Sequence, residues 1–263
     1  MASLSAIEWT DATWNPVTGC TKVSPGCRYC YAERLTKRFG QQRFTDIVLH
    51  PERLDLPLRW RTPRMIFVNS MSDLFHDRVP ISFIDQVFGV IRRSPHHVFQ
   101  VLTKRPERLL SWHRGVDGTI NPIPENAWLG VSVESMEFAW RVDRLRQVDG
   151  PVRFVSAEPL LGPLASLDLT GVAWLITGGE SGGSSSRALV EMTPTGLKVK
   201  PEAVRWVREL RDRCIANGIA FFHKQWGGPR PTSGGRSLDG QTWSEYPGWH
   251  SPDRQRRQNV SAP

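Results

Sequence analysis

The sequence lacks any apolar run approaching the roughly 20 residues that a helical membrane span requires. Its beginning also lacks the basic-then-apolar pattern of an export signal. Together these absences predict a cytoplasmic protein without a membrane partner. Cysteine is scarce: four in 263 residues, in a chain with no export signal, argues against a disulfide framework. No internal repeat and no internal linker interrupts the chain. Residues 1–250 are therefore expected to form one α/β domain, with residues 251–263 a mobile basic tail. What is present is ordinary for a globular protein, 39% hydrophobic and 23% charged. A chain of this length buries roughly 70–75% of its unfolded surface and needs no covalent staples.

Acidic residues are the minority charge, 26 against 34 Lys and Arg, for a net +8. The excess is local. Residues 22–64 hold ten bases against four acids, and eight of those bases are Arg, whose planar fork suits phosphate. Eleven Trp residues add aromatic faces of the kind that stack on bases, although most sit in apolar runs that read as core.

Three of the four cysteines lie close together: Cys20, Cys27 and Cys30, in a loop (18–31) whose Gly19, Pro25 and Gly26 supply turns. The fourth, Cys214, shares a helical stripe with Ala203, Val207 and Leu210 between Pro201 and Gly218, and reads as core.

Short continuous apolar runs mark strands covered on both faces: Met65–Asn69, Val98–Leu102, Ala127–Val133, Val152–Ala157, Val172–Thr177 and Ile219–His223, with a further candidate at Thr13–Val17. Helical patterns lie between several of them, at 80–93, from Pro106, at 135–147 and at 201–218. The segment Tyr29–Phe39 is expected to turn Ala32, Leu35 and Phe39 inward. Strand-then-helix units imply a parallel sheet with right-handed crossovers, open or closed into a complete or partial barrel.

Ligands of such sheets bind beyond the C-terminal ends of the strands. Every run here finishes in polar groups: Asn69, Ser70 and Asp73; Thr103, Lys104 and Arg105; Ser132 and Glu134; Ser156 and Glu158; Gly179, Glu180 and Ser181; His223, Lys224 and Gln225. One such group is a helix cap; six sets together describe a site.

Three thiolates in one loop suit an iron–sulfur cube with one iron left open to a small molecule. A tetrahedral zinc site would need a fourth ligand, for which His50 and His76 are the candidates. The pair Cys27-Arg28-Tyr29-Cys30, preceded by Cys20 and followed by strand–helix repeats, resembles the radical S-adenosylmethionine (radical SAM) superfamily, with six rather than three residues between the first two cysteines. The strings Ile7-Glu8-Trp9-Thr10-Asp11-Ala12-Thr13-Trp14-Asn15-Pro16, Met71-Ser72-Asp73-Leu74-Phe75, Leu102-Thr103-Lys104-Arg105-Pro106 and Gly178-Gly179-Glu180-Ser181 are narrower. They resemble a phage-type three-cysteine family that is radical SAM-like and distantly similar to spore photoproduct lyase.

That resemblance implies a partial (β/α)6-type barrel of parallel strands, radical SAM-like. It implies that Cys20, Cys27 and Cys30 ligate three irons of a 4Fe–4S cluster and that S-adenosylmethionine chelates the fourth. Tyr29 would lie against adenine, Ser70 and Asp73 near the methionine amine, Lys104 on its carboxylate, and Ser132 and Glu134 on ribose hydroxyls. Reductive cleavage would give a 5′-deoxyadenosyl radical that abstracts hydrogen from substrate, with Glu158, Glu180 and Lys224 as substrate contacts. An electron donor such as flavodoxin or ferredoxin is implied, and phage association together with the basic segment favours DNA as the substrate. Two other classes compete: a zinc-holding, non-catalytic nucleic-acid-binding protein, and a hydrolase using Glu158 and Glu180 as acid and base.

Overall fold

The computed structural model describes residues 5–40, 42–115, 117–182, 187–230 and 232–248. The segment expected to be a basic tail, 251–263, lies outside the described residues.

Seven strands form one sheet in simple sequential order: β1 (Ala12–Trp14), β2 (Met65–Val68), β3 (Val98–Thr103), β4 (Ala127–Ser132), β5 (Val152–Ala157), β6 (Trp174–Gly178) and β7 (Ala220–Gln225). All six pairings are parallel, with registers such as Ala12 to Ile66, Met65 to Val98 and Trp128 to Val152. The sheet curls into a half-barrel, the architecture expected from the strand–helix alternation. It has one strand more than six because the short run at Ala12–Trp14 pairs along the edge of β2.

Side chains alternate strictly between two faces, as the period of two requires. Ile66, Val68, Phe99, Val101, Leu129, Val131, Val155, Leu175 and Phe221 point to the convex face and join a largely aliphatic core. Helices α2 (Ile81–Arg93), α3 (Pro106–Arg114), α4 (Trp140–Arg146) and α5 (Pro201–Ala216) add to that core, together with loop residues such as Phe75, Leu160 and Leu189. The helix α2 buries Phe83, Ile84, Val87, Phe88 and Ile91, a stripe at the helical period. Proline at the first turn starts α3 and α5, and Gly218 (φ 64°) follows the end of α5 in the left-handed region. The inward stripe of α5, including Cys214, is buried as the sequence predicts.

Met65, Phe67, Val98, Trp128, Phe154, Trp174, Ile176 and Phe222 point the other way, and Trp9 from the N-terminal segment joins them. This concave cluster is mostly aromatic. Trp9 lies 4.6 Å from Phe67 and 6.1 Å from Trp174 between ring centroids, and Trp174 lies 5.5 Å from Phe154. Gly130 leaves room for it, since a Cβ there would fall 2.4 Å from the Phe154 ring. The aromatic layer closes the inside of the half-barrel from below.

The first helix, α1 (Tyr31–Phe39), departs from expectation. Only Ala32 is buried; Leu35 and Phe39 are 43% and 72% exposed. The helix is carried at the rim by the cysteine loop and makes no extensive contact with another helix or strand, so its apolar residues have no sheet face to cover. No helix is long and apolar enough to cross a membrane among the described residues.

Candidate functional site

A cavity of about 210 Å³ opens at the C-terminal ends of the strands. Its wall takes Phe67 from β2, Leu102 and Lys104 from the end of β3, Ser132 from β4, Ser156 and Glu158 from β5, Gly179 and Glu180 beyond β6, and Lys224 and Gln225 from β7. The cysteine loop closes one side with Gly26, Cys27, Tyr29 and Cys30, and α1 adds Tyr31 and Arg34. Polar residues from five strand ends and two of the three clustered cysteines therefore meet around one hollow.

The loop is held in two ways. At its start, the Gly19 N–H donates to the Met71 carbonyl (3.1 Å) and the Cys20 N–H to the Phe44 carbonyl (2.8 Å). Arg105 reaches the next residue, donating to Thr21 Oγ1 (2.8 Å) while pairing with Asp77 (2.9 Å). His76 Nδ1 accepts from the Arg78 N–H, and its Nε2 lies 2.8 Å from Thr21 Oγ1. Further along, Pro25–Cys27 form a short 3-10 turn held by side chains. The Arg187 guanidinium donates to the Pro25 carbonyl (2.9 Å), pairs with Glu180 and lies 5.2 Å from the Tyr29 ring centroid. Arg34 donates to the carbonyls of Ser181 (2.9 Å) and Gly182 (2.7 Å).

All three loop thiols are free and partly buried. Burial pushes the Cys20 thiol up to about 12, the Asp73 carboxylate pushing the same way and Arg105 opposing it. A metal bound there must displace that proton. Among the described residues, no three His, Cys, Asp or Glu side chains converge to hold one metal ion. His50 engages both ring nitrogens, with Thr18 (2.8 Å) and Glu52 (3.1 Å), and His76 engages both of its own as above, so neither offers a free imidazole as a fourth ligand. A tetrahedral zinc ion would need a fourth ligand beyond the three thiolates, whereas an iron–sulfur cube takes its thiolates on separate irons.

Of the other residues the sequence points to, Tyr29, Lys104, Ser132, Glu158, Glu180 and Lys224 line the cavity. Lys104 Nζ donates to Ser132 Oγ (2.9 Å). Glu158 pairs with Lys224 (3.1 Å) and accepts from Trp9 Nε1 and Ser156 Oγ (both 3.2 Å). Burial draws the Lys224 amine down, but the Glu158 and Glu8 carboxylates outweigh it and leave it raised, so the ammonium persists. Both candidate acid–base carboxylates of a hydrolase, Glu158 and Glu180, are engaged in ion pairs.

Ser70, Asp73 and Glu134 stand off the cavity wall. Ser70 donates to Asn15 Oδ1 (3.1 Å). Asp73 accepts from Thr103 Oγ1 (2.7 Å), the Phe75 N–H (3.0 Å) and the Lys104 N–H (3.0 Å), fixing the end of β3. Glu134 is fully buried against Arg141 (2.9 Å), and its Oε1 has no hydrogen-bond partner. It lies under the loop, 2.9 Å from where a Cβ on Gly26 would be.

Sequence reasoning assigned no role to Trp9, Tyr31, Arg34 and Arg187. Trp9 sat inside a quoted motif. Arg187 carries no signal of its role at the loop, because its contacts there, Pro25 and Tyr29, lie far away in sequence.

The profile of a family described as "Protein of unknown function (DUF5131)" matches residues 4–247. No curated protein matches the chain. Among solved structures, a cysteine-to-serine variant of spore photoproduct lyase aligns with a TM-score of 0.55 at 13% identity, covering 87% of this chain and 79% of that one. A doubly substituted variant of the same lyase, with bound AdoMet and dinucleoside spore photoproduct, aligns with a TM-score of 0.51 at 12% identity, covering 86% and 79%. At this identity the likeness is one of fold.

Proposed function

The chain belongs to the DUF5131 family, and we propose that it is a radical S-adenosylmethionine enzyme of the phage-type three-cysteine kind, acting on a nucleic-acid base in DNA. The observation that carries this reading is the placement of three free thiols on one loop beside a polar cavity at the strand ends of a half-barrel. The lyase structure with bound AdoMet and a dinucleoside shares that fold and supports the same choice of cofactor and substrate class.

Cys20, Cys27 and Cys30 would hold the 4Fe–4S cluster. A reduced cluster with S-adenosylmethionine on its open iron would supply one-electron reduction of the sulfonium and so radical hydrogen abstraction from a substrate. The protein supplies position and charge. Lys104, fixed through its own N–H by Asp73 and through Nζ by Ser132, presents a cation to the methionine carboxylate. Ser70 holds Asn15, which in turn accepts from the Met71 N–H, so Ser70 and Asp73 shape the strand ends nearest the methionine amine from behind. Tyr29, with Arg187 on its ring, offers an aromatic wall for adenine. Ser132 faces the ribose, and Glu134 supports the loop beneath it. Glu158 and Lys224 set an acceptor and a donor side by side for a base edge, with Glu180 across the hollow. The aromatic floor keeps water out from below. The electron comes from a reducing cytoplasmic carrier such as flavodoxin or ferredoxin.

The test is anaerobic reconstitution with iron and sulfide. Absorbance near about 400 nm and dithionite-dependent release of 5′-deoxyadenosine are expected, both lost in Cys27→Ser. Protein that takes up zinc without inorganic sulfide, and stays colourless, overturns the proposal.

A further inference from the structure

The cavity of about 210 Å³ lies below the range of roughly 300–1,000 Å³ in which proteins enclose one drug-sized ligand. Trp9 and Phe67 of the aromatic cluster form part of its wall. On the function proposed above, a nucleoside cofactor would occupy most of such a space. The substrate must reach the rim from outside.

The rim beside the cysteines is a surface of unusual composition. Tyr31, Leu35 and Phe39 recur every four residues along α1 and are 42%, 43% and 72% exposed. At 1.5 Å per residue this stripe runs about 12 Å outward from Tyr31, which itself lines the cavity. Arg34 and Arg38 alternate with it at the helical spacing. The Arg38 guanidinium lies 5.0 Å from the Phe39 ring centroid, and Arg28 lies 5.4 Å from that of Tyr29. Lys22, Arg28, Arg34, Lys37 and Arg38 face a single acid in residues 22–39, Glu33.

Resting on the function proposed above, we infer that this face of α1 and the cysteine loop is a track for an unpaired stretch of DNA, which hands one base to the cavity mouth. Rings paired with guanidinium groups match the repeating base and phosphate of a strand. Bases stack on Phe39 while the backbone runs along Arg28, Arg38 and Lys37. The alternation of rings with guanidinium groups along the helix follows the alternation of base and phosphate along a strand.

The experiment is fluorescence anisotropy with a labelled 20-nucleotide single strand of mixed sequence, on the full chain before any iron or sulfide is added. Its outcome is therefore independent of whether a cluster later forms. Binding should weaken with salt. Phe39→Ala should weaken it roughly 5- to 100-fold through lost stacking. Arg38→Gln should reduce the salt slope by about 0.7. Ile120→Ala, an exposed apolar residue in the segment before β4 at the opposite end of the strands, should bind as the parent does. Circular dichroism of each variant guards against unfolding. Three results overturn the inference: salt-insensitive or absent binding, Phe39→Ala binding like Ile120→Ala, or tighter binding of the RNA strand of the same sequence. A fourth also does: variants that bind the strand normally yet lose reduction by an acidic flavodoxin, which would assign this face to a protein.

Discussion

The two halves of the cysteine loop are built on different principles. Around Cys20 the main chain itself is bonded into the fold, through the Gly19 and Cys20 N–H groups and a bridge between Gly19 and Ser72. Around Cys27 and Cys30 the tertiary contacts are guanidinium straps from Arg187 and Arg34 and the buried Glu134 carboxylate beneath Gly26. The first sulfur is thus part of the scaffold, and the other two ride on a turn that depends on charge.

The largest effect should come from the buried pair beneath the turn. Arg141→Leu leaves the Glu134 carboxylate buried without its counter-charge, at a cost of about 3–5 kcal/mol. For a chain of this size that lowers the melting temperature by roughly 6–20 °C. Adding Glu134→Leu should restore most of it, and failure to do so would remove charge as the basis of the second half. Arg105→Ala strikes the first half. Its side chain is largely buried and holds Thr21 and Asp77, so a loss of about 2–3 kcal/mol is expected in chemical denaturation.

Salt separates the halves more gently. Hydrogen exchange at Cys27–Cys30 should speed up between low and molar salt as the exposed straps are screened, while the Gly19 and Cys20 amides keep their protection. Equal responses would erase the distinction.

Mild acid, just below the ordinary histidine range, should act on the first half. Burial, with help from Arg105, holds His76 below its ordinary value. The unfolded chain then binds the extra proton first, so the stability His76 contributes is complete above about pH 6.5 and declines as pH falls toward its folded value. Faster exchange at Cys20 below pH 6.5, absent in His76→Gln, is the expected signature.

Much of this fold was legible because parallel strands covered on both faces write themselves as unbroken apolar runs. The six runs from Met65 to His223 all became strands, and their polar ends met because parallel strands carry every C-terminus to one side. Periodicity found α2 and α5 for the same reason. It misled at α1, where Leu35 and Phe39 have the spacing of a core stripe but no sheet to cover. Spacing reports which residues share a face, and cannot report whether anything lies opposite. The polar residues split along the same line. Lys104, Glu158 and Lys224 reach the hollow, whereas Asp73 turns to cap the end of the neighbouring β3, a choice set by three donors that the string Met71–Phe75 does not reveal. Arg187 is not legible in the sequence because its hold on the cysteine loop is through Pro25 and Tyr29, distant along the chain.

The aromatic floor turns the half-barrel into a blind alley. Trp9 and Phe67 back the hollow on the concave face. If a nucleoside sits there and a strand lies along α1, as proposed above, the nucleoside would arrive first and leave last, a last-in, first-out order of turnover.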